Sequence, residues 1–142
     1  MNMINKKIGL CSANSDLTRK LAEDFYAQTG VKFIVFAEIA SDYIAENIHR
    51  INELRNKTNL ERIILPTIEY IRRNHGDAEV VLLDMEVLMH DEAVAELKKD
   101  YTIIALDDVP PGTGVEYIMH NDYDARLKKI ADIRAKKIEE VL

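Results

Sequence analysis

The sequence predicts a three-layer α/β domain built on a parallel sheet, and three observations carry that prediction. Segments with strand and helix patterns follow one another as β-α-β-α-α-β-α-β-α, the order that places helices on both faces of parallel strands. Val80 to Leu83 is an unbroken apolar run, as a central strand buried on both faces requires. The 142 residues suit one domain, 1–142, without a linker, repeat or low-complexity tract.

Each element has a local reason. Ile8 to Cys11 is a short apolar strand, and Ser15 with Asp16 starts a helix whose apolar residues, Leu17, Leu21, Phe25 and Tyr26, keep helical spacing. Thr29-Gly30 stops that helix, and Val31 to Phe36, with its β-branched and aromatic residues, is the second strand. Ser41-Asp42 is expected to cap a helix carrying Tyr43, Ile44, Ile48 and Ile51. After a polar gap at Asn56 to Asn59, Leu60 to Arg73 is helical, with Pro66 marking a kink or the true start. His75-Gly76-Asp77 is a turn, Asp84 ends the central strand, and Asp91 to Lys99 is a short helix. Thr102 to Leu106 is a further buried strand, Val109 to Gly114 a Pro/Gly loop, and a closing helix runs from Asn121 or Asp122 to Leu142.

Composition narrows the function classes. With 47% hydrophobic and 31% charged residues the chain has a core and a solvated surface. A net charge of −6 argues against nucleic-acid binding, which depends on clustered Lys and Arg against phosphate. Cys11 is the only cysteine, so no disulfide forms within the chain, and it reads as a small buried residue. No apolar stretch approaches the ~20 residues of a membrane helix. A cytoplasmic location and no membrane association are expected. His90-Asp91-Glu92 and His120-Asn121-Asp122 lack the His or Cys spacing of a defined metal site and read as polar helix starts.

Several segments, in order along nearly the whole chain, resemble the small P-loop nucleotide kinases of bacteria and their viruses, the AAA-type or NadR-like kinase group. Leu21-Ala22 and Thr29-Gly30 before Val31-Lys-Phe-Ile34 are similar to that family's first helix and second strand. Leu60 to Asp84 resembles its helix and following strand, which ends in Asp-Arg-[Ser/Thr]-Pro. Thr102 to Pro111 is similar to its later strand and Pro-Pro loop. Gly114-Val115-Glu116 with Asp122-Tyr123 is similar to its Gly-Val-Arg segment and closing helix. The resemblance implies a P-loop-kinase-like fold, here shortened and without a lid.

The departures fall on the chemistry. A P-loop, G-x-x-x-x-G-K-[ST], uses glycines to let backbone N–H groups surround phosphate, Lys to reach its oxygens and Ser/Thr to hold Mg²⁺. Laid over Ser12 to Arg19, the two glycines become Ser12 and Leu17, the Lys becomes Thr18 and the Ser/Thr becomes Arg19. Asp16 in the first helical turn favours the helix dipole as a bound anion would, and it repels phosphate. Ser12, Asn14 and Ser15 read as turn and cap residues rather than nucleophiles; Thr18 and Arg19 complete the degenerate nucleotide-binding set. Asp84 holds the family's acidic position, but Met85 and Val87 replace its Arg and Pro, and Glu116 reverses the charge of Gly-Val-Arg. Asp84 with Asp107 and Asp108 forms a candidate Mg²⁺ cluster, because parallel strands bring their carboxyl ends to one edge.

Two functions follow as expectations. One is a non-catalytic kinase relative that binds a protein partner or itself, in a regulatory or phage host-interaction role, with no cofactor and weak or absent nucleotide binding. Leu88, Met89, Tyr117, Ile118 and Met119 are its expected interaction edge. The alternative is a divergent nucleotide kinase or hydrolase in which Arg19 replaces the P-loop Lys and Asp84 serves Mg²⁺. A receiver-like signalling domain, suggested by Val80-Val-Leu-Leu-Asp84, lacks the acidic pair after the first strand, where Ser12-Ala13 stands.

Overall fold

The computed structural model describes residues 7–12, 15–105, 116–117, 128 and 130–132. Strand β1 (Lys7–Cys11) lies at the centre of the sheet between β3 (Val80–Leu83) and β4 (Tyr101–Ala105). Outside these lie β2 (Phe33–Val35) and β5 (Glu116–Tyr117), giving the order β2-β3-β1-β4-β5 with every neighbouring pair parallel. Ile8 stands opposite Val80 on one side and Thr102 on the other.

Alternation along the strands builds two cores. Ile8, Leu10, Val80, Leu82 and Ile104 face α1 (Ser15–Thr29), which contributes Leu21, Ala22 and Phe25. Cys11, Val81, Leu83, Tyr101 and Ile103 face the opposite layer. That layer comprises α2 (Phe36–Glu46), α3 (Ile48–Glu53), α4 (Leu65–Asn74), α5 (Met85–Leu88) and α6 (Asp91–Leu97). The three-layer α/β expectation with a parallel sheet therefore holds. Gly9, in the middle of β1, has no side chain because its neighbours fill the space: a Cβ there would stand 3.0 Å from Leu83 Cδ1.

Helix α1 ends where expected. Gly30 adopts φ +75, a left-handed conformation that glycine reaches without Cβ strain, and its N–H donates to the Tyr26 carbonyl at 2.7 Å. Strand β2 is shorter than Val31 to Phe36 because Phe36 already begins α2. Ser41-Asp42 is not a cap: it lies inside α2, where the Ser41 hydroxyl donates to the Ala37 carbonyl at 3.1 Å. That back-bond absorbs the polar group within the helix, while Phe36, Ile39 and Tyr43 form the buried stripe.

Pro66 marks a real transition. Leu60–Ile64 forms a π-helical turn, in which the Leu65 N–H reaches back to the Leu60 carbonyl, and α4 then runs from Leu65 with Pro66 in its first turn. The proline has no N–H to offer a carbonyl in the preceding turn, so the irregularity falls where a regular bond is already lost. Arg72, at the end of α4, anchors this layer to the other helices. Its Nε donates to Asp100 Oδ2 at 2.6 Å and its terminal nitrogen to the Glu96 carbonyl at 2.8 Å, and Glu69 pairs with it as well.

Three findings extend or correct the sequence reading. The turn α5 was not expected, and β5 is a short fifth strand that follows the Pro/Gly segment in sequence. Leu88, expected on an exposed edge, is 1% exposed and belongs to the core with Val87, because α5 turns its apolar side back onto the sheet. The segment Val109 to Gly114, expected as a loop, and most of the expected closing helix lie outside the described residues. Residues 128 and 130–132 are helical, and Ile130 packs in the core shared with α1.

Candidate functional site at the strand tips

The topology selects one edge of the sheet. The connection leaving β1 runs through α1 on one face, whereas the connection leaving its neighbour β3 runs through α5 and α6 on the other. Adjacent strands whose connections depart to opposite faces leave a crevice beyond their carboxyl ends, where ligands of open α/β sheets bind. Ser12 follows β1 and Asp84 follows β3 at this edge.

A cleft of about 300 Å³ opens there, walled by the first turns of α1 and α2 and the end of β3. Of the residues expected to form a degenerate phosphate-binding set, Ser15, Thr18 and Arg19 line it. Thr18 is buried, and its hydroxyl is used within the helix, donating to the Ser15 carbonyl at 2.9 Å. Arg19 is bound in an ion pair, with its guanidinium 2.7 Å from Glu38 Oε1. Ser12 is buried directly after β1, and Asn14 lies outside the described residues.

The charge of the cleft is acidic. Asp16, Glu38 and Asp84 contribute three carboxylates against the single guanidinium of Arg19. Asp84 sits on the rim, where partial withdrawal from water, and secondarily the charge of Glu86, raise its carboxyl above the ordinary value of 3.8. A polyphosphate entering this space would meet a negative field and one already neutralised cation, the reverse of what phosphate binding needs.

A second cavity of about 240 Å³ shares Ala37 and Asp84 with the first and extends between α2, the π-helical turn and α5. Its wall is largely apolar, with Phe36, Ile44, Ile63 and Val87, and its acidic groups are Asp84 and Glu86. Glu38 and Glu86 were missed in the sequence because acidic residues near helix starts ordinarily read as solvated. The available signal was positional: each falls within three residues of a strand end, Glu38 after β2 and Glu86 after β3, and parallel strands end together.

The remaining candidates divide. Asp107 and Asp108 lie outside the described residues, and among the described residues no three His, Cys, Asp or Glu side chains, those of the cleft included, stand close enough together to hold a metal ion. Met89 is 69% exposed beside buried Leu88, so of that expected pair only Met89 faces solvent. Tyr117 lies in β5, while Ile118 and Met119 fall outside the described residues. Cys11 is fully buried, its thiol donating to Met85 Sδ at 3.4 Å. Among the described residues no helix is long and apolar enough to cross a membrane. Compared with known proteins, the chain matches no family model, no curated protein and no solved structure.

Proposed function

We propose that this chain is a non-catalytic relative of P-loop nucleotide kinases that works by binding another protein, in a regulatory or phage host-interaction role. The observation that carries this reading is the charge at the strand tips: the cleft that would face phosphate holds Asp16, Glu38 and Asp84, and among the described residues its only cation, Arg19, is paired with Glu38. Catalysis of phosphoryl transfer rests almost wholly on positioning and on positive charge around the transferred group. A cleft that repels phosphate supplies neither. Between Asp84 and β4 the chain makes only α5 and α6, which leaves no segment for an Arg-bearing lid.

The divergent-kinase alternative asks Arg19 to take the place of the P-loop Lys. That would require breaking a 2.7 Å ion pair and exchanging Glu38 for a more negative ligand beside Asp16 and Asp84. Restoring the phosphate motif tests the assignment of the cleft: Ser12→Gly, Leu17→Gly, Thr18→Lys and Arg19→Thr together gain measurable pyrophosphate affinity in a variant that remains folded by circular dichroism. A folded variant with no gain removes the kinase relationship. For the protein-binding half, sedimentation velocity of the parent beside Met89→Glu reports on self-association. A parent that stays monomeric at high concentration leaves a foreign partner as the remaining form of the proposal.

A further inference from the structure

The second cavity combines an apolar wall with two carboxylates and, among the described residues, no cation. Ile63, Ile64 and Val87 form its floor and sides, with Ile64 and Val87 buried and Ile63 partly so. Asp84 and Glu86 are exposed, two residues apart on the turn that follows β3. Among the described residues neither makes a hydrogen bond or ion pair through its side chain. Arg19, the cation of the neighbouring cleft, is held by Glu38 and does not line this cavity. The two acids are close enough for the charge of Glu86 to disfavour ionisation of Asp84.

Small-molecule sites are concave, mostly apolar, and carry a few polar groups that fix orientation. Here the charged groups have one sign, beside the neutral Ser41 and Asn59. An anion would be repelled, and a neutral apolar molecule would gain nothing from the two neighbouring carboxylates. A cation with a hydrocarbon arm satisfies both parts: the arm covers Ile63, Ile64 and Val87 while the charge relieves the repulsion between Asp84 and Glu86. We propose that the cavity between α2, the π-helical turn and α5 binds a small free alkylammonium ligand, its nitrogen between Asp84 and Glu86 and its carbon chain on the isoleucine wall. The π-helical turn that supplies Ile63 and Ile64 belongs to the class of helix irregularities often found at functional sites. Such a site goes beyond the protein-binding role and stands or falls separately from it, because its residues are not those that would hold a partner at Met89.

The test titrates n-butylamine, n-butanol and butyrate at constant ionic strength into protein with labelled isoleucine methyls. Saturable shifts at Ile44, Ile63 and Ile64 with butylammonium are expected, at about millimolar concentrations for so small a ligand. Butanol should bind at least about tenfold more weakly and butyrate more weakly still, since only the ammonium gains from the carboxylates. The Asp84→Asn, Glu86→Gln double variant should lose about tenfold or more of the amine affinity, while Asp77→Asn, on a distant turn, leaves it unchanged. Equal shifts from butanol and butylamine, or an unaffected double variant, would overturn the proposal. Saturation by Nα-acetyl-lysine amide without any by butylamine would overturn it too, by assigning the cavity to a partner's lysine.

Discussion

Truncating Leu88 to alanine tests how the sheet edge is closed. Leu88 is 1% exposed and packs with Val87, Ala93, Val94 and Leu97 against β3 and β4. The substitution removes three carbons, worth about 2.4 kcal/mol at ~0.8 kcal/mol for each buried carbon. A residual cavity adds to this, placing the total at about 3 kcal/mol within the ~2–5 kcal/mol span of such changes. Against a total stability of about 5–15 kcal/mol this is a large fraction. For a chain of this size it lowers the melting temperature by roughly 6–12 °C. Urea unfolding followed by circular dichroism should show a lower midpoint with an unchanged slope. Met89→Ala, at an exposed neighbour, should fall within about 0.5 kcal/mol of the parent. If Leu88→Ala proves as mild as Met89→Ala, α5 does not dock as described and Leu88 returns to the exposed edge.

Three further outcomes are expected. Arg72→Met removes charged hydrogen bonds to Asp100 and the Glu96 carbonyl and should cost about 2 kcal/mol in denaturant unfolding; a neutral result would mean that the α4 anchor contributes nothing. Asp84 has a raised carboxyl, so its share of stability is present at acid pH and is lost as pH rises through the raised value, because the unfolded chain releases the proton first. Asp84→Asn should therefore be more stable than the parent at neutral pH and equal to it at about pH 3 and below, in paired melting curves, and the opposite sign would refute this. Tyr101 is pushed up to about 12 by burial and then by Asp100, so stability is kept below the ordinary tyrosine range and lost as pH rises toward 12. Tyr101→Phe should flatten that alkaline loss, and a phenolate absorbance titration in which every tyrosine ionises in the ordinary range would contradict it.

Much of the fold was legible because local and global signals agreed. Val80 to Leu83 reads as a doubly buried strand and is one, and Gly30 reads as a helix stop and adopts the left-handed conformation that a stop uses. The start of α2 was not legible: its N-cap is Val35, which makes no side-chain cap bond, so the nearby Ser41-Asp42 pair offered a more conventional but incorrect start. The turn α5 and strand β5 are too short for periodicity to register. Of the candidate site, Asp84 was visible as an acid ending an apolar strand. The Arg19 to Glu38 pair was not, because its residues lie nineteen apart near the starts of two helices, and only the parallel sheet brings those helix starts to one edge.

The cleft beyond β1 and β3, lined by Asp16, Glu38 and Asp84 with Arg19 held by Glu38, is expected not to bind phosphate. Calorimetric titration of the unmodified protein with Mg-ATP and Mg-GTP tests it most directly. Dissociation constants no better than about millimolar, equivalent to roughly −4 kcal/mol, are expected. Micromolar binding of either nucleotide, abolished by Arg19→Ala, would show that Arg19 leaves Glu38 to serve phosphate, and would contradict the account.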